Sequence, residues 1–419
     1  KQKIILTTVN LPTSCVVDFT EGYTVTLNVI NGSTSPVSKV VGRDGVTSFT
    51  VTPNTEYDLK LESDTCNGTL SGNTYTISNI TSNKTCSITF KPNLPTLYEQ
   101  ILKDNPTRST RNTYDAVFTN NTTGTLFTAT EKNVHNTTDT TVYYYAGNTT
   151  KNWVKFAGFY WRIIRTNADG SIRMLYSGTS HDTTSGYIGT SAFNSSSNSP
   201  KYVGYMYGND DSSLLNARTN ENDSVIKTAI DNWYASNMTS YTKYLSTTAV
   251  YCNDRTEQTA GTYNTGNTSF NYAPDARVNS SYSPTYDCTE ASDAFSVDNT
   301  SAKLTYPIAL MTSDEIMRAG GKGGAMLTSP YAWYYLNSAN GSIIGTQKWW
   351  LLSPSSWASS STFVFVVYSS RIPGLLSNTS TTNAYRVRPA VSLKSCIKYS
   401  TGNGTASNPY TILETSSGC

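Results

Sequence analysis

The sequence predicts a mostly β protein in two parts, an N-terminal β-sandwich followed by an α+β domain, and three observations carry that reading. Residues 1 to 94 alternate apolar and polar side chains with the period of two that strands require, in segments spaced about ten residues apart. Lys91-Pro-Asn-Leu-Pro95 then breaks the alternation with two prolines, which cannot donate to a strand ladder or sit inside a helix. Beyond it, helical spacing enters for the first time, mixed with further strands. For 419 residues, a prior of about 150 per domain allows two or three domains. The proline break places one at 1–94 and the other at 95–419.

In the first part, Tyr23–Ile30, Thr47–Val51, Glu56–Leu61 and Cys86–Phe90 read as strands, separated by Asn-Gly, Gly-Asn and Pro turns. Each has one apolar face, and short strands of this kind bury it only against a second sheet, as in an immunoglobulin-like sandwich. Nothing there concentrates reactive groups, so the expected role is a spacer or anchor. After the break, Leu97, Ile101 and Leu102 give Leu97–Lys103 helical spacing. The Thr- and Asn-rich stretch that follows holds strands at Gly124–Thr128 and Thr141–Tyr145. Trp153–Tyr176 reads as two strands joined at Asn167-Ala-Asp-Gly170. Ser224–Met238 is the best helix, with Val225, Ile226, Ile230 and Trp233 near one face. A shorter helix starts with Thr312 or Ser313 as its cap, carries Asp314 and Glu315 in its first turn and stops at Gly320-Gly321. Gly320–Gly324 lacks the phosphate-loop pattern and reads as a flexible loop. The tail returns to strands at Lys348–Leu352, Phe363–Tyr368 and Ala384–Leu393.

Composition removes several classes of function. Charged residues are 14% of the chain, 31 basic against 29 acidic, so a net charge of +2 offers no electrostatic basis for binding nucleic acid or a membrane surface. No stretch approaches the roughly 20 apolar residues that cross a bilayer. His135 and His181 stand in segments of Asn, Ser, Thr and Gly, a poor basis for a multi-histidine metal centre or a histidine relay. No metal, cofactor or catalytic residue is expected. The cysteines Cys15, Cys66, Cys86, Cys252, Cys288, Cys396 and Cys419 show no CxxC and no metal-ligand spacing. Disulfides explain them economically: Cys66 with Cys86, Cys252 with Cys288 and Cys396 with Cys419, leaving Cys15 over. A first residue of Lys1, followed by too short an apolar run for a leader, reads as a chain whose secretory signal has been removed. The expected location is extracellular or at the cell surface.

The blocks "VKFAGFYWRIIR", "AIDNWY", "YCNDR", "LTYPIALMTSDEIMRAGG", "WWLLSPSS" and "RVRPAVSL" resemble, in the same order, a family of uncharacterised secreted and surface proteins of gut bacteria. The resemblance runs from about Leu97 to Ile412. Its C-terminal part is similar to the C-type-lectin fold of ligand-binding proteins diversified by retroelements, which implies a rigid body displaying changeable side chains. The sequence departs from animal C-type lectins in lacking their Glu-Pro-Asn and Trp-Asn-Asp calcium and sugar tripeptides, and from the sulfatase-activating enzymes in lacking their paired cysteines. Neither activity is carried over.

The candidate binding segment lies between Trp349–Pro354 and Arg386–Val391. Phe363, Phe365 and Val367 alternate with Val364, Val366 and Tyr368, so one side of that strand is expected to face the core. The rest is Ser, Thr and Asn dotted with Trp, Tyr and Arg, a composition close to antibody binding loops. Rigid aromatics supply contact area, small polar groups adapt their hydrogen bonds and Arg reaches charged or stacked partners. Ser355, Ser356, Trp357, Ser359, Ser361, Tyr368, Arg371, Asn383 and Tyr385 are therefore the expected ligand-binding face. The competing reading is an ordinary polar loop with Trp357 tucked into the core. Trp349 and Trp350 are expected in the core, and Arg386 and Arg388 as partners of buried carboxylates. Asp254–Arg255 and Asp314–Glu315 read as capping and salt-bridging residues ahead of cation ligands.

The leading expectation is a bacterial surface protein that binds an extracellular protein or glycan through this face. One alternative is a subunit of an extracellular filament or layer, self-assembling by pairing the N-terminal strand Lys1–Leu11 with a neighbour's sheet edge. The other is an enzyme acting on extracellular polysaccharide, for which no carboxylate pair stands out.

Overall fold

A computed structural model describes residues 22–55, 57–263, 269–369, 371–415 and 418–419. The expectations for Lys1–Leu11 and Cys15 fall outside these residues. Strands take 40% of the chain and helices 13%, so the protein is mostly β. It divides into two compact units, Lys1–Leu94 and Pro95–Cys419, the division falling just before the last proline of the Lys91–Pro95 break.

In the first unit the period-two alternation becomes two four-stranded sheets. In one, Gly22–Ile30 lies between Ser38–Gly42 and Lys84–Pro92, and Lys84–Pro92 also pairs with Tyr57–Asp64. The other follows the order Gly32–Ser35, Gly45–Pro53, Thr74–Ile80, Thr69–Ser71. Val25, Leu27, Ile88 and Phe90 from the first sheet and Phe49, Val51, Tyr75 and Ile77 from the second fill one cluster. The alternate positions stay outside, as the pleat requires. Cys66 and Cys86 form a disulfide beside this cluster.

In the second unit a ten-stranded and a six-stranded sheet share a single large core. Trp153–Tyr176 yields three strands instead of two: Trp153–Phe156, Phe159–Thr166 and Ile172–Tyr176. Ala157 and Gly158 turn the chain with φ of 54° and 77°, a tight hairpin whose first residue gave no turn signal. The second turn sits where expected, the Gly170 amide donating to the Asn167 carbonyl. The helices follow their caps. Thr96 and Glu99 form a capping box on Leu97–Asp104, Ser224 caps Val225–Asn237, and Thr312 and Glu315 form a second capping box on Ser313–Ala319. Gly320, at φ 122°, ends that last helix. Gly321 and Gly323 after it are closely packed where a flexible loop was expected, a Cβ on Gly323 meeting Asn279 Oδ1 at 2.5 Å, while Gly324 is open. Disulfides Cys252–Cys288 and Cys396–Cys419 complete the expected pairing. No helix among the described residues is long and apolar enough to cross a membrane.

Candidate functional site

The candidate segment folds as a hairpin, Trp349–Trp357 against Thr362–Val367, inside the six-stranded sheet. Both faces of the hairpin are covered: Val364, Phe365, Val366 and Val367 are all buried, as are Trp349 and Trp350. The expectation of a single core-facing side is therefore corrected. A strand that is apolar at nearly every position is one buried on both sides; the turn Pro200–Val203 packs against both strands of the hairpin, and the helix Ala273–Asn279 against Trp349–Trp357.

This burial removes two residues from the expected face. Ser355 is fully buried, its hydroxyl donating to Asp275 Oδ1 at 2.9 Å and accepting from Asn378 Nδ2 at 2.7 Å. Trp357 is 2% exposed, paired between Thr362 and Phe270, with its indole N–H unpartnered among the described residues. Neither touches a ligand from outside. Ser356 is half-buried opposite Phe363. At the hairpin tip Ser359 is exposed at φ 56° with its hydroxyl 2.9 Å from that of Ser269, and the Ser361 hydroxyl lies 3.5 Å from that of Ser197. Tyr368 and Arg371 belong to the opposite end of the hairpin, about 20 Å from the tip at the usual strand rise. The expected face is therefore split, with the tip at one end and the aromatic and basic groups at the other. Asn383 is exposed and donates its amide to Thr379 Oγ1 at 2.8 Å.

At the Tyr368 end the structure brings two of the expected residues, Tyr368 and Tyr385, together around Lys348, which was not among them. Lys348, the residue before the Trp-Trp pair, donates from Nζ to the hydroxyls of Tyr368 at 2.7 Å and Tyr385 at 3.4 Å. The same ammonium lies 3.9 Å from the Tyr368 ring centroid and 4.9 Å from that of Tyr385. Desolvation works against its charge, yet the two phenol oxygens outweigh it and hold Lys348 above the usual lysine range. Tyr385 is anchored edge-on to Trp350 at 5.5 Å. All three side chains are half-buried, so their outer surfaces meet solvent on a rigid support, and Arg371 stands exposed in the adjoining turn. The only signal for Lys348 in the sequence was a cation preceding a buried aromatic pair.

The arginine expectations are corrected as well. Arg386 meets no carboxylate among the described residues. It points to the other side of its strand from Tyr385, lies 4.3 Å over the Tyr187 ring and bonds the Thr190 hydroxyl. Arg388 is buried but donates to the carbonyls of Tyr176 and Tyr334 and stacks at 4.7 Å on Trp349. Carbonyl acceptors and an indole face replace the expected carboxylate, and burial pulls its guanidinium below the usual arginine range.

The acidic residues go into ion pairs. Arg277 joins Asp254 at 2.9 Å and Asp314 at 2.6 Å, and Arg255 joins Asp293 at 2.7 Å. Glu315 caps its helix while accepting from Arg165 at 3.0 Å and Arg173 at 2.8 Å, and Arg165 reaches Glu131 at 2.7 Å. Burial disfavours the Glu315 charge, but both arginines and the Thr312 amide outweigh it and hold its carboxyl below the usual range. For Asp293 burial prevails over Arg255 and Arg218, pushing that carboxyl up. No group of three or more His, Cys, Asp and Glu among the described residues is placed to hold a metal ion.

Comparison with protein-family models, with curated proteins and with solved structures found no match for this chain.

Proposed function

We propose that this is an extracellular ligand-binding protein in which a sandwich-like first domain presents a C-type-lectin-like second domain, related to the gut-bacterial surface family that its sequence blocks resemble. The observation that carries the reading is the Tyr368–Lys348–Tyr385 cluster with Arg371 beside it. Half-buried tyrosines locked by a cation lose little freedom on contact, and Tyr and Arg are the side chains that dominate binding hot spots. The ligand class is an extracellular protein or glycan, and the three disulfides support an oxidising location.

The test is binding of the purified chain to glycan and extracellular-matrix protein arrays. The double variant Tyr368→Ala/Tyr385→Ala is expected to weaken the strongest interaction about thirtyfold, equivalent to ~2 kcal/mol. Ser359→Ala/Ser361→Ala at the hairpin tip is expected to leave it unchanged. The reverse pattern would move the site to the tip and sink this reading.

A second reading, self-assembly into a filament or layer, draws support from the first unit. Ser38–Gly42 ends its sheet, and Val37 and Val40 beside and within it are 63% and 72% exposed. An apolar edge is a template for strand addition. Val40→Lys is expected to abolish any concentration-dependent assembly seen by sedimentation. Assembly that survives the change removes this edge from consideration.

A further inference from the structure

Arg162 is a buried cation without an acidic partner among the described residues. Its side chain is 3% exposed, within the Phe159–Thr166 strand. Nε donates to Asn152 Oδ1 at 2.6 Å, and the two terminal nitrogens donate to the carbonyls of Leu336 at 3.3 Å and Thr149 at 3.2 Å. All three acceptors are neutral. A guanidinium carries five N–H groups, so one remains on each terminal nitrogen. The guanidinium carbon lies over the indole rings of Trp153 at 4.2 Å and Trp333 at 5.5 Å. The charged group that bears on it most is another cation, Arg388, and burial with that repulsion drives Arg162 well below the usual arginine range. Cation–π contact recovers part of the cost of burying such a charge, but a carboxylate or similar counter-charge is what ordinarily balances it.

The space beside this fork is open. Arg162 lines a cavity of about 150 Å³ together with Asn148, Thr149, Tyr331, Asn337 and Asn340, and no Asp or Glu is among its lining residues. That volume is comparable to the ~150 Å³ engineered cavity that accepts a benzene ring, so a six-membered ring is about the right size. The walls are mixed where that case is apolar: Trp153, Trp333 and Leu336 offer apolar surface, and amides, hydroxyls and a phenol stand among them, a lining that suits the faces and the hydroxyls of a sugar ring.

We propose that this cavity is a binding site for an acidic monosaccharide, a uronic-acid-type ring whose carboxylate takes the two remaining N–H groups of Arg162. The planar fork matches the two oxygens of a carboxylate, and Asn148, Asn340 and Tyr331 face the ring hydroxyls. The site shares no residue with the Tyr368 cluster and is independent of it: one is a recess for a small anion, the other a half-buried aromatic surface.

The experiment uses the full chain at constant ionic strength, with sodium glucuronate, glucose and sodium acetate as probes in calorimetric titration and thermal melts. Glucuronate is expected to bind saturably and raise the melting temperature, glucose to bind at least tenfold more weakly, and acetate to compete with glucuronate. The variant Asn148→Asp supplies the missing counter-charge from the wall, and its side-chain oxygen can still accept from the Asn121 amide as Asn148 does at 2.8 Å. It is expected to melt higher than the parent without ligand and to bind glucuronate at least tenfold more weakly. Thr150→Asp, on the exposed rim of the same cavity, repeats the test should the first variant fold poorly. Equal binding of glucose and glucuronate, no binding of glucuronate, or unchanged glucuronate affinity in the folded Asp variants would each overturn the proposal.

Discussion

Glu315→Gln is expected to destabilise the second unit by about 3–5 kcal/mol, the range found when one partner of a buried ion pair is removed. Glu315 and Arg173 are each 1% exposed and Arg165 is 3% exposed, so loss of the carboxylate leaves Arg173 without its carboxylate partner and Arg165 with Glu131 alone, both out of bulk solvent. Gln can still serve as the third residue of the capping box with Thr312, so the variant isolates the charge from the cap. Glu315→Ala removes both and is expected to cost more. Chemical denaturation of the three proteins checks the order. The pH dependence has a definite sign. The folded carboxyl of Glu315 lies below its ordinary value of 4.5, so its contribution is complete above that value and is lost as pH falls through the lower folded value. The parent is therefore expected to lose stability on acidification below about pH 4.5 more steeply than Glu315→Gln. Parallel acid unfolding curves would show that Glu315 does not support the fold through its charge.

The second large effect is expected in the first unit, from replacing Cys66 and Cys86 together by Ala. The bond spans 20 residues, for which loop-closure entropy corresponds to about 3 kcal/mol. That is a large fraction of the stability a domain of this size holds, because a short chain buries proportionally less surface. Cys86 is itself buried in the shared cluster beside Ile88, so the substitution also removes packing. Amide exchange read at Val25, Ile77 and Ile88 should speed up about a hundredfold, while amides of the Phe159–Thr166 strand keep their protection. Uniform loss of protection along the chain would contradict a local role for this bond.

Segments governed by neighbours in the chain were legible: the strand alternation of Gly22–Ile30, the Thr312–Glu315 capping box and the Gly320 stop all depend on residues within a few positions of one another. The three disulfides were legible because spacing and compartment chemistry constrained seven cysteines together. The binding face was not. Composition marked Trp357 and Tyr368 alike, yet one is sealed between Thr362 and Phe270 while the other lies at the far end of the hairpin under Lys348. The tight turn at Ala157–Gly158 was missed because an alanine at positive φ carries no local sign of it.

By itself, then, the chain's order of side chains determined a mostly β protein with a break near Pro95 and its principal helices, since those follow from periodicity, capping and turn chemistry over short spans. Only the tertiary structure decided which aromatics are walls and which are surface, and that Arg386 and Arg388 meet rings and carbonyls instead of acids. The physical reason is that burial and charge partnership are set by whatever layer covers a strand: Arg165 finds Glu315 150 positions away, and Arg162 finds no acid at all among its hydrogen-bond partners.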